Sequence, residues 1–202
     1  MAEMPSASVD VVLTSPPYNR KRNDKYNCHN DDIDDYFDFL TKSINECLRV
    51  CRGYVFFNIQ KNYYNRTDVH RIFGEFSQSI VENIIWHKTN PTPNPHVINS
   101  YEYFLVLSRT IKSLKANSTY VKNHFSTPAY STNPYKSIHR AVMHPDACDY
   151  ILQNFCNSGD VVFDPFMGVG TTGVQCIKNG MAFIGAELND EYFEIASERI
   201  VG

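Results

Sequence analysis

"VVFDPFMGVGTTG", residues 161–173, reads as strand, loop and helix in thirteen positions. Val161 to Phe163 are β-branched or aromatic, as a buried strand requires. Asp164 and Pro165 stop the strand. Gly168, Gly170 and Gly173 then fit G-x-G-x-x-G and lead into "TTGVQCIKNG", a helix closed by Gly180. Glycines let the chain turn tightly and let a ligand lie against main-chain donors. The next strand, "MAFIGAE" (Met181 to Glu187), ends on an acid. That acid stands at about the ~20-residue offset where a carboxylate reaches ribose hydroxyls. The plainer reading is a tight strand-to-helix turn, but the three features together predict a nucleoside-cofactor loop.

The loop's own residues narrow the cofactor. A P-loop needs Lys and then Ser or Thr after its glycines, whereas Thr171 and Thr172 follow directly here. A dinucleotide dehydrogenase needs a second mononucleotide half, and only about thirty residues remain. Asp164 offers a carboxylate to a ligand's ammonium group. Phe166 offers a ring to adenine or to a sulfonium-bearing methionyl chain. These residues point to S-adenosyl-L-methionine.

Working outward, strands and helices alternate. "VDVVL" (Val9 to Leu13) is a buried strand and "DDYFDFLTKSINECLRV" (34–50) a helix with acids at its start. "GYVFFNI" (Gly53 to Ile59) is a strand and "DVHRIFGEFSQSI" (Asp68 to Ile80) a weaker helix. "VENIIWHK" (Val81 to Lys88) and "YEYFLVLS" (Tyr101 to Ser108) are two strands in succession. "PDACDYILQNF" (Pro145 to Phe155) has proline in its first turn, and "NDEYFEIASERI" (Asn189 to Ile200) closes the chain as a helix. This order predicts an α/β fold with a doubly wound, mostly parallel sheet and an antiparallel hairpin at one edge. From Arg109 to about His139 periodicity fades, which marks a functional loop or insertion.

A second stretch breaks local rules. After Val9–Leu13 comes "TSPPYN" (Thr14 to Asn19). Two prolines forbid continuation of the strand and remove two backbone donors. A hydroxyl precedes them and a ring, expected to be exposed, follows.

The bulk properties set limits. With 202 residues, 43% hydrophobic and 20% charged, the chain suits one globular domain. The net charge of -3 gives no global case for nucleic acid, but charge is unevenly spread. "NRKRNDKYN" (19–27) is basic, and the stretch from Arg109 to Arg140 contains no acid. Thirteen Tyr and thirteen Phe leave rings outside the core to stack on a planar ligand. Cys28, Cys47, Cys51, Cys148, Cys156 and Cys176 form no CxxC pair. They read as reduced thiols of an intracellular protein (cytoplasm or nucleoid), with no metal site. No apolar run approaches the ~18 residues of a membrane span.

"TSPPYN", "FDPFMGVGTT" and "FIGAELNDEYFEIASERI" together resemble the DNA amino-methyltransferases, which methylate cytosine N4 or adenine N6. The motif order, catalytic before cofactor, resembles their circularly permuted β group. "IIWHKTNPTPN", "YEYFLVLSR" and "HPDACDYILQNF" extend the likeness over nearly the whole chain. The resemblance implies a Rossmann-like fold with a catalytic half (9–108), a short target-recognition region (109–140) and a cofactor half (141–202). It implies Ser15, Pro16, Pro17 and Tyr18 as catalytic, with Tyr18 stacking on a base flipped out of double-stranded DNA. It implies Asp164, Phe166, Gly168, Gly170, Thr171 and Thr172 along the methionyl side of the cofactor and Glu187 on its ribose. Arg20, Lys21, Arg22 and Lys88 are candidate phosphate contacts. Asn189 reads as a helix cap, Trp86 as core, and His144-Pro145 as a helix entry or a contact to the cofactor carboxylate. Serine before the prolines favours cytosine over adenine. The short recognition region favours a homodimer or a partner subunit. Only Met1 to Ser8 precede the catalytic strand, where the family carries a further strand and an acid. The expectation is therefore an absent edge strand or a trimmed chain. A non-catalytic subunit, or an enzyme acting on RNA or another planar amine or amide, is the alternative reading.

Overall fold

Val9, Val12 and Leu13 are fully buried, which only a strand covered on both faces achieves. That strand, β1 (Val9–Thr14), is the centre of the molecule. The structure is a computed structural model that describes residues 1, 3–21, 31–91, 97–128, 133–135, 138–139 and 141–202. The other strands are β2 (Cys51–Ile59), β3 (Ile80–Lys88), β4 (Tyr101–Leu107), β5 (His124–Thr127), β6 (Val161–Asp164) and β7 (Ala182–Gly185). They form one seven-stranded sheet in the order β5-β3-β4-β2-β1-β6-β7. All neighbouring pairs are parallel except those of β4, which runs against both β2 and β3.

Helices cover both faces. α1 (Tyr36–Val50) and α2 (Arg66–Glu75) put Leu40, Ile44, Val69 and Ile72 against Val9 and Val12. α3 (Pro145–Phe155) and α4 (Thr171–Lys178) put Ala147, Ile151, Leu152 and Cys176 against Val11 and Leu13. α5 (Asp190–Val201) lies beside α4. Their starts follow local chemistry. Asp35 accepts from the Asp38 N–H at α1, and Asn189 from the Tyr192 N–H at α5. Pro145 stands in the first turn of α3. The doubly wound sheet and the Asn189 cap are as the sequence predicts.

Two findings differ from expectation. β5 falls in the segment without periodicity and adds a parallel strand outside the antiparallel pair. Its sequence, His-Phe-Ser-Thr, is too short and polar to declare itself. Tertiary contacts select it: Phe125 stacks on Trp86 at 6.3 Å and Tyr150 at 4.2 Å, and Trp86 Nε1 donates to Thr127 Oγ1 at 2.8 Å. Trp86 is thus core, at 4% exposure. β7 is shorter than expected, so Glu187 lies two positions beyond the strand. The described cysteines are buried; burial pushes the Cys51 thiol up to about 11 and Cys156 up to about 12, so neither is a ready nucleophile. Cys28 lies outside the described residues.

Candidate active site

β1 and β6 are neighbours, with Val12 opposite Phe163. From β1 the chain winds one way through β2; from β6 it winds the other way to β7. The carboxyl ends of β1 and β6 therefore flank the switch point where sheets of this kind bind ligands. The two motifs meet there through a buried bridge. Thr14 Oγ1 donates to Asp164 Oδ1 at 2.6 Å. Thr172 Oγ1 donates to Oδ2 at 2.7 Å, and the Phe166 N–H to Oδ1 at 3.0 Å. Burial pushes the Asp164 carboxyl up to about 6, against these three bonds that favour its charge. Oδ1 already has two donors, so a ligand ammonium has only Oδ2 to address. The residue is first a strut between motifs.

The loop after β1 is locked from several sides. The Pro17 carbonyl accepts from Tyr36 Oη at 2.7 Å. The Tyr18 carbonyl accepts from Asn62 Nδ2 at 2.7 Å and Asn65 Nδ2 at 2.8 Å. Ser15 Oγ lies 2.7 Å from Tyr18 Oη and donates to Asn58 Oδ1 at 3.1 Å. Tyr18 Oη reaches both Asn58 Oδ1 and Glu102 Oε2, the latter at 3.1 Å. Burial, then the Glu102 charge, raises the Tyr18 phenol well above its ordinary value, so it stays a proton donor.

Two expectations are corrected here. The Tyr18 ring is not exposed: it is 9% accessible, walled in by the bonds to its hydroxyl, with the Arg20 guanidinium 5.5 Å from its centroid. Lys88 is not a free cation for phosphate. Its ammonium pairs with the buried Glu102 and lies 4.6 Å from the Trp86 ring centroid. Of the other cations, Arg20 donates to Gln60 and Lys21 pairs with Asp32, while Arg22 lies outside the described residues.

On the β6 side, Gly168 (φ +53°) and Gly170 (φ +80°) need the left-handed region that favours glycine. A Cβ on Gly168 would come within 3.1 Å of His139 Nε2. Glu187 ties this loop to the loop after β7: Oε2 accepts from the Gly168 N–H at 2.9 Å, and Oε1 from the Leu188 and Asn189 N–H groups. Phe166 is half-buried, 5.8 Å from the Phe39 ring. Thr171 is 5% exposed, and its Oγ1 has no hydrogen-bond partner among the described residues. Its neighbour Thr172 is engaged by Asp164. His144 caps α3 by accepting from the Asp146 N–H at 3.2 Å, and burial lowers its tendency to protonate.

A family model described as DNA methylase, of the N6/N4 type, matches residues 9–198. The chain belongs to this family. Among curated relatives it is similar to the type II methyltransferase M.HinfI of Haemophilus influenzae, 23% identical over an alignment of 231 residues. That alignment covers 98% of this chain and 64% of the relative. The type II methyltransferase M.XycI of Xanthomonas campestris pv. cyanopsidis is 27% identical over 131 residues, 59% of this chain and 44% of the relative. The chain thus spans less than two thirds of either relative. Among solved structures, the cytosine-N4-specific PvuII DNA methyltransferase aligns with a TM-score of 0.78 at 18% identity, over 100% of this chain and 82% of that one. A DNA modification methylase of Thermus thermophilus, solved with S-adenosyl-L-methionine, aligns with a TM-score of 0.66 at 23% identity, over 99% and 88% of the two chains. At these identities the likeness is one of fold.

Within this family member, several site residues carry no motif. Asn58 and Glu102 are fully or nearly fully buried. Each is the polar residue in an otherwise apolar strand, "GYVFFNI" and "YEYFLVL". A lone polar side chain in a strand covered on both faces must find partners inside, and that is the signal sequence reading can use. Asn62 and Asn65 give no such signal, because "KNYYN" reads as a plain turn.

Proposed function

We propose that the chain transfers a methyl group from S-adenosyl-L-methionine to an exocyclic amino nitrogen of a base in double-stranded DNA, cytosine N4 in preference to adenine N6. The observation that carries this is the Thr14–Asp164 hydrogen bond, which fixes the acceptor-orienting loop beside the glycine loop at one sheet edge. The type II methyltransferase relatives support a role in restriction-modification.

The residues present fit the cofactor. Gly168 and Gly170 leave a main-chain cradle, Phe166 offers a ring, and Thr171 Oγ1 is a buried polar atom awaiting a partner. Glu187 is anchored by three N–H groups and would address the ribose; Asp164 Oδ2 and Thr172 would face the methionyl part. When bound, S-adenosyl-L-methionine supplies a methyl group on a positively charged sulfur.

The rest is the chain's own work. An exocyclic amine shares its lone pair with its ring and is a poor nucleophile until it pyramidalises. Acceptors beside its N–H bonds favour that change. Asn58 makes Ser15 such an acceptor. Asn58 Nδ2 donates to the Tyr103 carbonyl at 3.1 Å, which turns Oδ1 toward Ser15 and Tyr18. The Ser15 hydrogen is drawn inward, and its lone pairs are left for the substrate amine. The Pro16 carbonyl is the second acceptor, on a turn stiffened by Pro17 with no competing N–H. Tyr18 serves through its hydroxyl, holding Ser15, rather than as a stacking face. Reaching the amine requires the base to leave the duplex. Residues 109–140 supply target contacts, with a second copy or a partner subunit completing them; Arg20 and Lys21 supply phosphate contacts.

Incubation with methyl-labelled cofactor and unmethylated duplex DNA, followed by nucleoside mass spectrometry, is expected to yield N4-methylcytosine. Ser15→Ala and Asn58→Ala are expected to lower transfer by roughly a hundredfold or more while cofactor affinity holds. N6-methyladenine alone would overturn the base assignment. Cofactor binding without transfer to DNA would select a non-catalytic subunit, and transfer to RNA alone would select another acceptor.

A further inference from the structure

The loop after β2 is built with unusual care for a surface turn. Asn65 is fully buried at the start of α2, yet its side chain does not cap that helix. Its Nδ2 donates to the Tyr18 carbonyl at 2.8 Å and the Gln60 carbonyl at 2.9 Å, and its Oδ1 accepts from the Asn62 N–H at 2.7 Å. Asn62 Nδ2 donates to the same Tyr18 carbonyl, and its Oδ1 accepts from the Tyr64 N–H at 2.8 Å. Two asparagines thus clamp residues 60–65 onto the backbone of the proposed catalytic loop.

The clamp holds two tyrosines in water. Tyr63 is 73% exposed and Tyr64 57%, edge to face with ring centroids 5.3 Å apart. Neither ring contributes to a core, so folding does not explain them. Arg66 lies 5.0 Å from the Tyr63 ring centroid, and Lys61 flanks the pair. Neither Lys61 nor Arg66 forms an ion pair among the described residues. Arg20, from the first loop, donates to Gln60 at the base of the same turn. Exposed rings bordered by unpaired cations, held rigidly at a strand's carboxyl end, match the chemistry of a nucleic-acid strand. Bases and sugars meet the rings and phosphates meet the cations. A peptide partner would supply acids for the cations but has no general need of two stacking faces.

We infer that Tyr63, Tyr64 and Arg66 form a stacking platform for the DNA strand beside the displaced target base. The inference rests on the proposed DNA methyltransferase reading. Through the clamp, DNA seated on the platform is held in register with Ser15.

The test uses the full chain and a fluorescein-labelled mixed-sequence duplex of about thirty base pairs, read by fluorescence anisotropy across a salt series, with methyl transfer followed in parallel. The double variant Tyr63→Ala/Tyr64→Ala is expected to weaken duplex binding roughly tenfold or more, with S-adenosyl-L-methionine affinity by calorimetry unchanged. Tyr63→Phe/Tyr64→Phe keeps the rings and is expected to keep the affinity. Arg66→Ala is expected to take about 0.9 off the log–log salt slope. If the wild type methylates DNA and the double alanine variant binds it equally well, the platform is wrong and the function stands. A phenylalanine pair as weak as the alanine pair also overturns it. A wild-type chain that neither binds nor methylates DNA overturns the function itself.

Discussion

Asp164 shows how one side chain turns two motifs into one site. Its carboxylate is 3% exposed and held by Thr14, Thr172 and the Phe166 N–H. Desolvation outweighs those bonds and lifts its carboxyl from 3.8 to about 6. A carboxyl that titrates higher when folded holds its proton more tightly in the native state. Its stabilising share is therefore complete below pH 3.8 and is lost as pH rises through about 6. The loss amounts to about 3 kcal/mol by pH 7. Asp164→Asn keeps an oxygen for the Thr14 hydroxyl, and the Thr172 hydroxyl can turn to accept from the new amide. Urea unfolding at pH 4 and pH 7 is expected to show the wild type losing stability relative to this variant by about that amount. Parallel pH dependences would mean that the buried carboxyl is not the titrating group.

At the scale of elements, β3 and β4 hold a second buried charge. Lys88 of β3 pairs with Glu102 of β4, whose side chain is 2% exposed and also receives Tyr18 Oη. Lys88→Met leaves that carboxylate alone and is expected to cost roughly 3–5 kcal/mol in urea unfolding. Adding Glu102→Gln to the same chain is expected to recover most of the loss, since the stranded charge is then gone. A phosphate-binding lysine would behave otherwise, changing the salt slope of DNA binding and leaving stability alone. This pair also marks where sequence reading stops. β1, β2, α3 and α5 are legible because periodicity, proline and cap residues act within a few positions. The glycine loop and "TSPPYN" are legible because each breaks a local rule. Lys88 misleads because its partner lies across a strand pair, and Tyr18 because no local pattern announces Asn58 and Glu102 behind its hydroxyl. β5 escapes for the same reason: Trp86 and Tyr150 hold Phe125, and neither is near it in sequence.

For the whole molecule, the central position of β1 decides how the halves communicate. β2 and β6 flank it, so the proposed catalytic and cofactor halves share one sheet and its two apolar faces. Glu187 adds a tie from the loop after β7 back to Gly168, and Tyr192 Oη of α5 donates to the Ile138 carbonyl at 3.0 Å. A ligand seated on the glycine loop therefore has no separate unit to stabilise. It can act only on the whole. At a concentration a hundred times its Kd, S-adenosyl-L-methionine is expected to add about 2.7 kcal/mol to unfolding free energy. For a chain of this size that raises Tm by roughly 5–10 °C. The melt followed by far-ultraviolet circular dichroism and by tyrosine absorbance is expected to give one transition, moving as a unit. Gly170→Ala is the discriminating control. Its φ of +80° strains any L side chain, and the new Cβ would come within 2.9 Å of Ala196 Cβ. It is expected to lower Tm without ligand and to reduce the ligand-induced rise. Two transitions, with only the later one moved by the cofactor, would show that the halves fold separately and that the shared sheet does not couple them.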